Sequence, residues 1–380
     1  MPTKIIIASD SFKGSLSGRE VGEAAARGIQ AADSEKDVEI IPVADGGEGT
    51  VEAIVSGLGG EIVSATVCGP LGDPVIAQYG LCGDTAVIEM ASASSLTLIP
   101  KEKRNPWITS SYGTGQLIYD ALKRGYRNFL IGIGGSATND AGTGMLSALG
   151  FRFLDCEGET VGRGGGETGR ISSIDFSNVM PELKEARFTI ACDVCNPLTG
   201  PEGSSMVFGP QKGANKDMVA GLDENLSSFA RICAQIFHKD YSSVPGAGAA
   251  GGLGFAFLSF LGGKLQPGID MVLDAVGFDN RIDGASLIIT GEGKIDRQTC
   301  MGKAPYGVLQ RGKAKGIPVV AIGGSVEKYV ETALMDAGFR AVYPITTHSI
   351  PLEEAMRPEV ATSNIERTVR RIIEKTARND

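Results

Sequence analysis

The sequence predicts an α/β protein in which both ends of the chain build one parallel sheet and a mixed α/β domain is inserted between them. Near both ends, short β-branched runs alternate with helical segments, as in a parallel sheet with crossover helices. In between, three short strands follow one another without a helix, which is typical of antiparallel or mixed pairing. The predicted domains are residues 1–60 plus 285–380, and residues 61–284, whereas the pattern of residues 105–150 fits either domain.

The first 60 residues predict the order β-loop-α-β-loop-α. Lys4–Ser9 is a β-branched run that ends in a polar loop, as a buried strand does. Ser17-Gly18-Arg19-Glu20 is a capping box and predicts the start of a helix. A second strand is predicted over Val38–Val43, followed by a helix over Val51–Leu58.

The central segment predicts strands of mixed pairing and one long helix. The predicted strands are Glu61–Val67, Val75–Leu81, Thr85–Met90, Asn128–Ile133, Phe151–Asp155 and Phe188–Cys192. Shorter helices are predicted near Thr114–Lys123 and Met145–Leu149. Apolar residues recur at spacings of three and four from Met218 to Ile236, which predicts an amphipathic helix.

Alternation of strands and helices resumes near the C-terminus. Strands are predicted over Leu287–Thr290, Pro318–Ile322 and Arg340–Ile345, and a helix over Asn364–Lys375. The first two strands are expected to end in the glycine loops Gly291-Glu292-Gly293 and Gly323-Gly324-Ser325. Right-handed crossovers place the loops that follow parallel strands at one edge of the sheet, so ligands are expected there.

Composition excludes several classes of partner. The net charge is −9 and no block of basic residues stands out, which argues against nucleic acid. No apolar run approaches the roughly 18 residues of a membrane span, and the first apolar run is too short for the core of a signal peptide. Seven scattered cysteines favour a reducing compartment, so the cytoplasm is expected. Homo-oligomerisation stays open.

Several standard catalytic signatures fail. Gly307–Ala314 nearly matches a P-loop but lacks its Ser/Thr and precedes a strand, so it is read as the end of a helix. Gly246–Gly251 fits the dinucleotide glycine pattern, yet no buried strand precedes it. Two isolated histidines argue against a Ser-His-Asp triad or a histidine zinc site. Cys192–Cys195 is a lone C-x-x-C pair, for which packing is the simpler interpretation.

Carboxylates and lysines at predicted strand ends carry the functional signal. Six carboxylates share that position: Asp10, Asp45, Asp140, Asp193, Glu292 and Asp296. A lone loop aspartate usually caps a helix or turn, but six in the same topological position indicate a site. Lys13 and Lys303 also follow strand-end loops and could neutralise phosphate charge. Carboxylates, lysines and glycine-rich backbone match the needs of phosphoryl transfer, which depends on positioning and electrostatics.

These loops also resemble those of a known family across nearly the whole chain. The matching segments are Asp10-Ser11-Phe12-Lys13-Gly14-Ser15, Ala44–Thr50, Thr109–Gly115, Gly134–Asp140, Ala191–Val194, Asn196–Gly200, Phe208–Gly213, Pro245–Gly254, Thr290–Gly293, Ile295-Asp296, Gln298-Thr299 and Gly302–Pro305. In this order they resemble the bacterial type-1 glycerate kinases. The resemblance implies a flavodoxin-like domain formed by both chain ends and an inserted restriction-enzyme-like domain.

The resemblance also implies a reaction. ATP and D-glycerate would give ADP and 2-phosphoglycerate, with Mg²⁺ as the metal. Three alternatives stay open: a kinase that makes 3-phosphoglycerate, a non-catalytic binder of small molecules on the same scaffold, and an oxidoreductase that uses the Gly246–Gly251 loop.

Residue chemistry and predicted strand ends then assign candidate roles. Asp193 or Asp296 is expected to accept the proton of the attacking hydroxyl, and Lys13 is the third predicted catalytic residue. Substrate binding is predicted for Asp10, Ser11, Lys13, Asp45, Gly46 and Lys303. Binding of the ATP phosphates is predicted for Gly134, Gly135, Ser136, Thr138, Asn139, Gly291, Glu292 and Gly293. Asp45 and Asp140 are the predicted ligands of Mg²⁺.

Overall fold

The computed structural model describes residues 3–300, 302–346 and 350–376, which divide into two compact units. Unit 1 consists of the described residues of Met1–Asp45, Glu52–Gly59 and Ile269–Asp380. Unit 2 consists of Gly46–Val51 and Gly60–Gly268, so it includes residues 105–150. The domain boundaries expected from the sequence stay a prediction.

The strands lie in three sheets. In chain order they are β1 Lys4–Ser9, β2 Asp37–Ile40, β3 Glu61–Cys68, β4 Pro74–Cys82, β5 Thr85–Glu89, β6 Asn128–Gly132, β7 Arg152–Leu154, β8 Ser173–Asp175, β9 Arg187–Ala191, β10 Lys264–Gln266, β11 Ala285–Ile295, β12 Val319–Val326 and β13 Ala341–Pro344. The helices are α1 Gly18–Ala32, α2 Thr50–Leu58, α3 Ala91–Ser94, α4 Tyr112–Lys123, α5 Thr143–Ala148, α6 Ser204–Phe208, α7 Lys216–Phe237, α8 Ala249–Phe260, α9 Gly268–Ala275, α10 Phe278–Arg281, α11 Ala304–Ala314, α12 Val330–Ala337, α13 Leu352–Ala355 and α14 Pro358–Thr376. No described helix is both long enough and apolar enough to span a membrane.

Unit 1 is built on a parallel five-stranded sheet in the order β13-β12-β11-β1-β2. Strand β1 lies between β11 and β2 and is buried from Ile5 to Ser9, as expected for a strand covered on both faces. Apolar residues of one face, such as Ile5 and Ile7, pack with apolar residues of α1 and α14, including Val21 and Ile365. Helix α1 begins with the predicted capping box, in which Ser17 and Glu20 hydrogen-bond reciprocally.

Unit 2 contains a six-stranded sheet in the order β10-β9-β6-β5-β4-β3 and a two-stranded antiparallel sheet of β7 and β8. Strands β3, β4 and β5 pair antiparallel, and the pairs β5–β6, β6–β9 and β9–β10 are parallel. The predicted amphipathic helix is α7, which Asn215 caps. Aromatic rings fill this core, where Phe229 stacks on Phe260 with ring centroids 6.2 Å apart. The predicted α/β class, with one parallel and one mixed sheet, is therefore confirmed.

Two predicted glycine loops are wrong, because the strands continue through them. Strands β11 and β12 stay paired as far as Ile295 and Val326. A Cβ at Gly291 would lie 2.6 Å from the Ile322 carbonyl oxygen, and one at Gly324 would lie 2.4 Å from the Gly293 carbonyl oxygen. The glycines therefore allow close passage of the backbone inside the sheet and do not form turns.

Candidate active site

The order of strands in unit 1 creates a crevice at one edge of its sheet. From β1 the chain runs to β2 on one side, whereas β11, β12 and β13 extend the sheet on the other side. The strand order therefore reverses between β1 and β11. In open α/β sheets, ligands bind beyond the carboxyl ends of the strands at such a point.

A cavity of about 550 Å³ lies in unit 1, and residues that follow β1 and end β11 contribute to its lining. The charged side chains of the lining are Asp10, Lys13, Asp45, Glu292, Lys294 and Lys303. We call these six residues the charged floor. Asp10 interacts with the charges of Asp45, Lys13 and Glu292, and Lys303 pairs with Glu292. Ser11 and Gly293 also line the cavity. Unit 1 thus brings together most of the residues predicted to bind substrate.

Asp10 is the most perturbed carboxyl of the charged floor. It is only 5% exposed, and its Oδ1 accepts a hydrogen bond of 2.6 Å from the Ser11 N–H. Burial, and then the negative charge of Asp45, raise the pKa of Asp10 to about 7, although Lys13 opposes the shift. A carboxyl with such a pKa exchanges protons near neutral pH, which suits a general base.

Lys303 joins two carboxylates. Its Nζ lies 3.4 Å from Glu292 Oε2 and 3.3 Å from Asp296 Oδ1, and the Thr299 hydroxyl donates to Glu292 Oε1. Burial raises the pKa of Glu292. Burial also acts to raise the pKa of Asp296, but the N–H of Gln298 and the charge of Lys303 outweigh it and leave that pKa lowered. A lowered pKa argues against the predicted role of Asp296 as the base.

The carboxylates also decide whether Mg²⁺ fits unit 1. Within the described part of the chain, no group of three or more His, Cys, Asp or Glu side chains has the arrangement of a metal centre. Kinase sites usually hold Mg²⁺ through one or two carboxylates together with phosphate oxygens and water. Asp10 and Asp45 are close enough for the charge of one to raise the pKa of the other. A cation would relieve this repulsion, so the donor set fits Mg²⁺ bound together with a nucleotide.

The predicted phosphate loop of unit 2 has a different arrangement from the expected one. Gly134 and Gly135 follow β6 and are exposed, whereas Ser136, Thr138 and Asn139 are buried. Ser136 Oγ accepts a 2.8 Å bond from Lys212 Nζ, and the Asn139 amide donates to Ser205 Oγ at 2.9 Å. Their side chains are therefore committed to the interior, and only the glycine backbone faces solvent. The hydrogen bonds of Ser136 and Asn139 argue against side-chain contacts to phosphate from these two residues, whereas the contact predicted for Thr138 stays a prediction.

Asp140 organises this loop from the inside. It is fully buried, and its Oδ2 accepts hydrogen bonds from the Ser111 N–H at 2.8 Å and the Ser111 hydroxyl at 2.9 Å. The N–H groups of Gly142 and Gly144 donate to its carboxylate at 3.1 and 3.3 Å. Burial raises the pKa of Asp140 even against these donors. With four donors already bound, the carboxylate is a structural acceptor, which argues against its predicted role as a ligand of Mg²⁺.

Three other residues predicted for the site are Asp193, which is exposed, and Gly46 and Gly291, which are buried. Asp193 is exposed in unit 2, and its Oδ1 accepts a 2.9 Å bond from the Gly268 N–H. Gly46 has a φ of 87°, and a Cβ there would lie 2.5 Å from the Ala191 Cβ, so its role is close packing. Gly291 is buried inside β11, where its carbonyl accepts from the Asp10 N–H at 3.0 Å. This position argues against its predicted contact with phosphate.

Lys212 is a buried residue of unit 2 for which the sequence predicts no role. This lysine is 2% exposed, and its Nζ also donates to the Thr138 carbonyl oxygen at 2.7 Å. Burial lowers the pKa of Lys212 to about 7, while the charge of Asp140 opposes the shift. Lys212 lies in one of the segments that carry the family resemblance, but a lysine between glycines and a proline cannot be told from a surface lysine by pattern alone.

Comparisons of the sequence and of the structure with known proteins all find glycerate kinases. A sequence model described as the glycerate kinase family matches residues 5–377. A glycerate kinase of Bacillus cereus is 51% identical over 371 residues, which are 97% of either chain. The glycerate 2-kinase of Escherichia coli K12 is 47% identical over 97% of either chain. The crystal structure of a Salmonella typhimurium LT2 protein assigned as glycerate kinase 2 superposes with a TM-score of 0.92 and 43% identity, covering 100% of this chain and 99% of that one.

Proposed function

The chain belongs to the glycerate kinase family and is a kinase, and on that premise we propose that it transfers the γ-phosphoryl group of ATP to the 2-hydroxyl of D-glycerate, with Mg²⁺. The charged floor of the unit 1 cavity carries this proposal, because it holds a proton acceptor and lysines in one place. The name of the Escherichia coli relative supports the 2-position.

We extend the proposal to the architecture and the compartment. In chain order the strands of the unit 1 sheet have the arrangement 2-1-3-4-5, which supports the flavodoxin-like description. The restriction-enzyme-like description of the inserted segment is proposed from the resemblance alone. A cytoplasmic location is proposed because all seven cysteines are free thiols.

In the proposed mechanism, Asp10 accepts the proton of the attacking hydroxyl. Its pKa of about 7 lets it take up that proton at neutral pH. Lys13 and Lys303 would hold the carboxylate of glycerate and the charge of the transferred phosphoryl group. Asp45 would hold Mg²⁺, which when bound neutralises phosphate charge. The exposed backbone of Gly134 and Gly135 stays a candidate contact for phosphate.

Asp296 acts through Lys303 in this proposal. Burial acts to lower the pKa of Lys303, but the charges of Glu292 and Asp296 outweigh it and leave the pKa raised. The ammonium is therefore charged at any pH at which the enzyme works. Two carboxylates also fix its position, which keeps the cation aimed at the cavity.

A coupled assay of ADP release tests the reaction. We expect ADP to form only when D-glycerate, ATP and Mg²⁺ are all present. ³¹P NMR then identifies the product, since a 2-phosphate couples to one carbon-bound proton and a 3-phosphate couples to two. A ³¹P signal split into a triplet would show that the product is 3-phosphoglycerate. Binding of glycerate without turnover would favour a non-catalytic binder, and reduction of a nicotinamide cofactor without ADP release would favour an oxidoreductase.

The charged floor predicts different effects for two neighbouring lysines. Lys303→Met removes a cation held between two carboxylates and is expected to lower kcat/KM roughly 10²- to 10³-fold, as for loss of a preorganised electrostatic contact. Lys294→Met is the matched control. The Lys294 side chain is 65% exposed and lies 3.7 Å from Asp296, so an effect of less than about threefold is expected, because exposed ion pairs are weak.

Steady-state kinetics of both lysine variants, with thermal melting as a check of folding, decide this prediction. Equal losses in the two variants would mean that general positive charge near the cavity matters rather than the fixed position of Lys303.

A further inference from the structure

The cavity of unit 1 has a second, apolar part that the proposed chemistry does not use. We call it the apolar wall; it consists of Phe12, Val326, Pro344, Ile345, Ile350, Leu352, Ala355, Met356 and Ala361. Leu352 is 70% exposed, so its side chain is available to a ligand. Met356 is 36% exposed and lies at the end of α13. An apolar surface beside a charged one indicates a ligand with both characters.

Glycerate alone does not account for this cavity. Its seven non-hydrogen atoms displace the volume of about three to four water molecules, or roughly 100 Å³ at ~30 Å³ per water. The cavity holds about 550 Å³. Glycerate also carries a polar group on every carbon, so it gains little from contact with leucine and methionine side chains. The charged floor can hold it without the apolar wall.

We propose that the apolar wall binds the heteroaromatic base and the ribose of the nucleotide that donates the phosphoryl group. Wall and floor belong to one cavity, so a base on the wall would leave its phosphates directed toward Lys13 and Lys303. A planar base has two apolar faces and suits a surface of aliphatic side chains. This inference rests on the proposed use of ATP and adds the position of the base.

A polar group at the cavity fits the same ligand. Ser15 lines the cavity, and its hydroxyl is buried and has no hydrogen-bond partner among the described residues. An unpaired buried hydroxyl costs free energy until a partner arrives. A ring nitrogen of the base or a ribose hydroxyl would supply that partner. Lipid chains, which carry no such group, would leave Ser15 unpaired.

Shortening the apolar wall tests the proposal. In the double variant Leu352→Ala/Met356→Ala, the dissociation constant of the fluorescent nucleotide mant-ADP is expected to rise roughly tenfold, the low end of what an apolar pocket loses with a methylene. Tripolyphosphate has no base, so its affinity, measured by displacement of the probe, should differ by less than about twofold between the double variant and the wild type. The KM for D-glycerate should also stay within about twofold of the wild-type value. Met335→Ala is the matched control, since Met335 is 42% exposed on α12 and does not line the cavity.

The outcomes separate this inference from the proposed function. Binding of mant-ADP needs no turnover, so a wild-type protein that binds it but releases no ADP contradicts the kinase reaction and leaves the base site standing. An active wild type whose double variant binds mant-ADP unchanged overturns the base site alone. A rise in the KM for D-glycerate instead would place glycerate on the wall and also overturn it. Leu352→Ala alone, at a largely exposed position, repeats the test if the double variant fails to fold.

Discussion

Asp10→Asn is expected to lower turnover by about 10²- to 10⁴-fold, the range for loss of a general base, and to make the folded chain more stable above pH 7. The substitution keeps the shape of the side chain and the oxygen that accepts from the Ser11 N–H. It removes a charge that is almost fully buried and faces Asp45. Activity and stability should therefore change in opposite directions.

The sign of the stability effect follows from proton linkage. The pKa of Asp10 is about 7 in the folded chain, against an ordinary value of 3.8. Between these values the folded state holds a proton that the unfolded state has released, so the contribution of Asp10 to stability falls as pH rises through this window. At about 1.4 kcal/mol per pKa unit, the penalty above pH 7 amounts to at most about 4 kcal/mol. Asparagine removes it.

Urea unfolding at pH 5 and pH 8, with turnover measured over the same range, checks both effects. In unfolding measured without Mg²⁺, the stability of Asp10→Asn relative to the wild type should increase as pH rises. Its turnover with Mg²⁺ should lie at least about 10²-fold below the wild type at both pH values. Asp37→Asn is the control, since Asp37 is exposed on β2 in the same sheet. If Asp10→Asn keeps turnover within tenfold of the wild type, the proton acceptor lies elsewhere, and Asp193 and Asp296 are the candidates predicted from the sequence.

The fold was predictable wherever hydrophobic periodicity was unambiguous. The run Lys4–Ser9 predicts β1 with both of its ends, because the β-branched residues Ile5–Ile7 form its centre and the polar loop that begins at Asp10 follows. The end of β11 was not predictable, since Gly291 and Gly293 look like a loop in any sequence pattern. They lie inside the strand because neighbouring backbone leaves no room for a Cβ. Only the three-dimensional structure reveals that neighbour.

The candidate site was predictable in its topology but not in its chemistry. The predicted strand ends at Asp10 and Asp45 come together, since both residues line the unit 1 cavity, and Glu292 joins them from inside β11. The sequence could not separate Asp10, whose pKa burial raises, from Asp296, whose pKa is lowered chiefly because the Gln298 N–H and Lys303 outweigh its burial. Whether a carboxyl is desolvated or paired depends on side chains distant in the chain.

Asp140→Asn is expected to destabilise the fold by about 3 kcal/mol, although it is the same substitution as at Asp10 and burial raises the pKa of both carboxyls. Hydrogen-bond donors make the difference. At Asp140, the Ser111 N–H, the Ser111 hydroxyl and the Gly144 N–H all point at Oδ2. If the NH₂ group of an asparagine took the place of Oδ2, it would face these three donors, and two donors cannot hydrogen-bond with each other. Rotating the amide would turn its NH₂ group against the Gly142 N–H, which donates to Oδ1.

A double-mutant cycle with Ser111→Ala isolates this effect. Ser111→Ala removes the hydroxyl that donates to Asp140 and that also accepts from the Met145 N–H at 2.9 Å. Because the two side chains are in contact, the cycle should give a coupling of about 1–2 kcal/mol by urea unfolding. Asp140→Asn also withdraws the negative charge that favours the Lys212 ammonium, so the loss should be larger at pH 6, where Lys212 is mostly charged, than at pH 8. A variant as stable as the wild type at pH 6 would contradict this account, because four donors would then face an asparagine without cost.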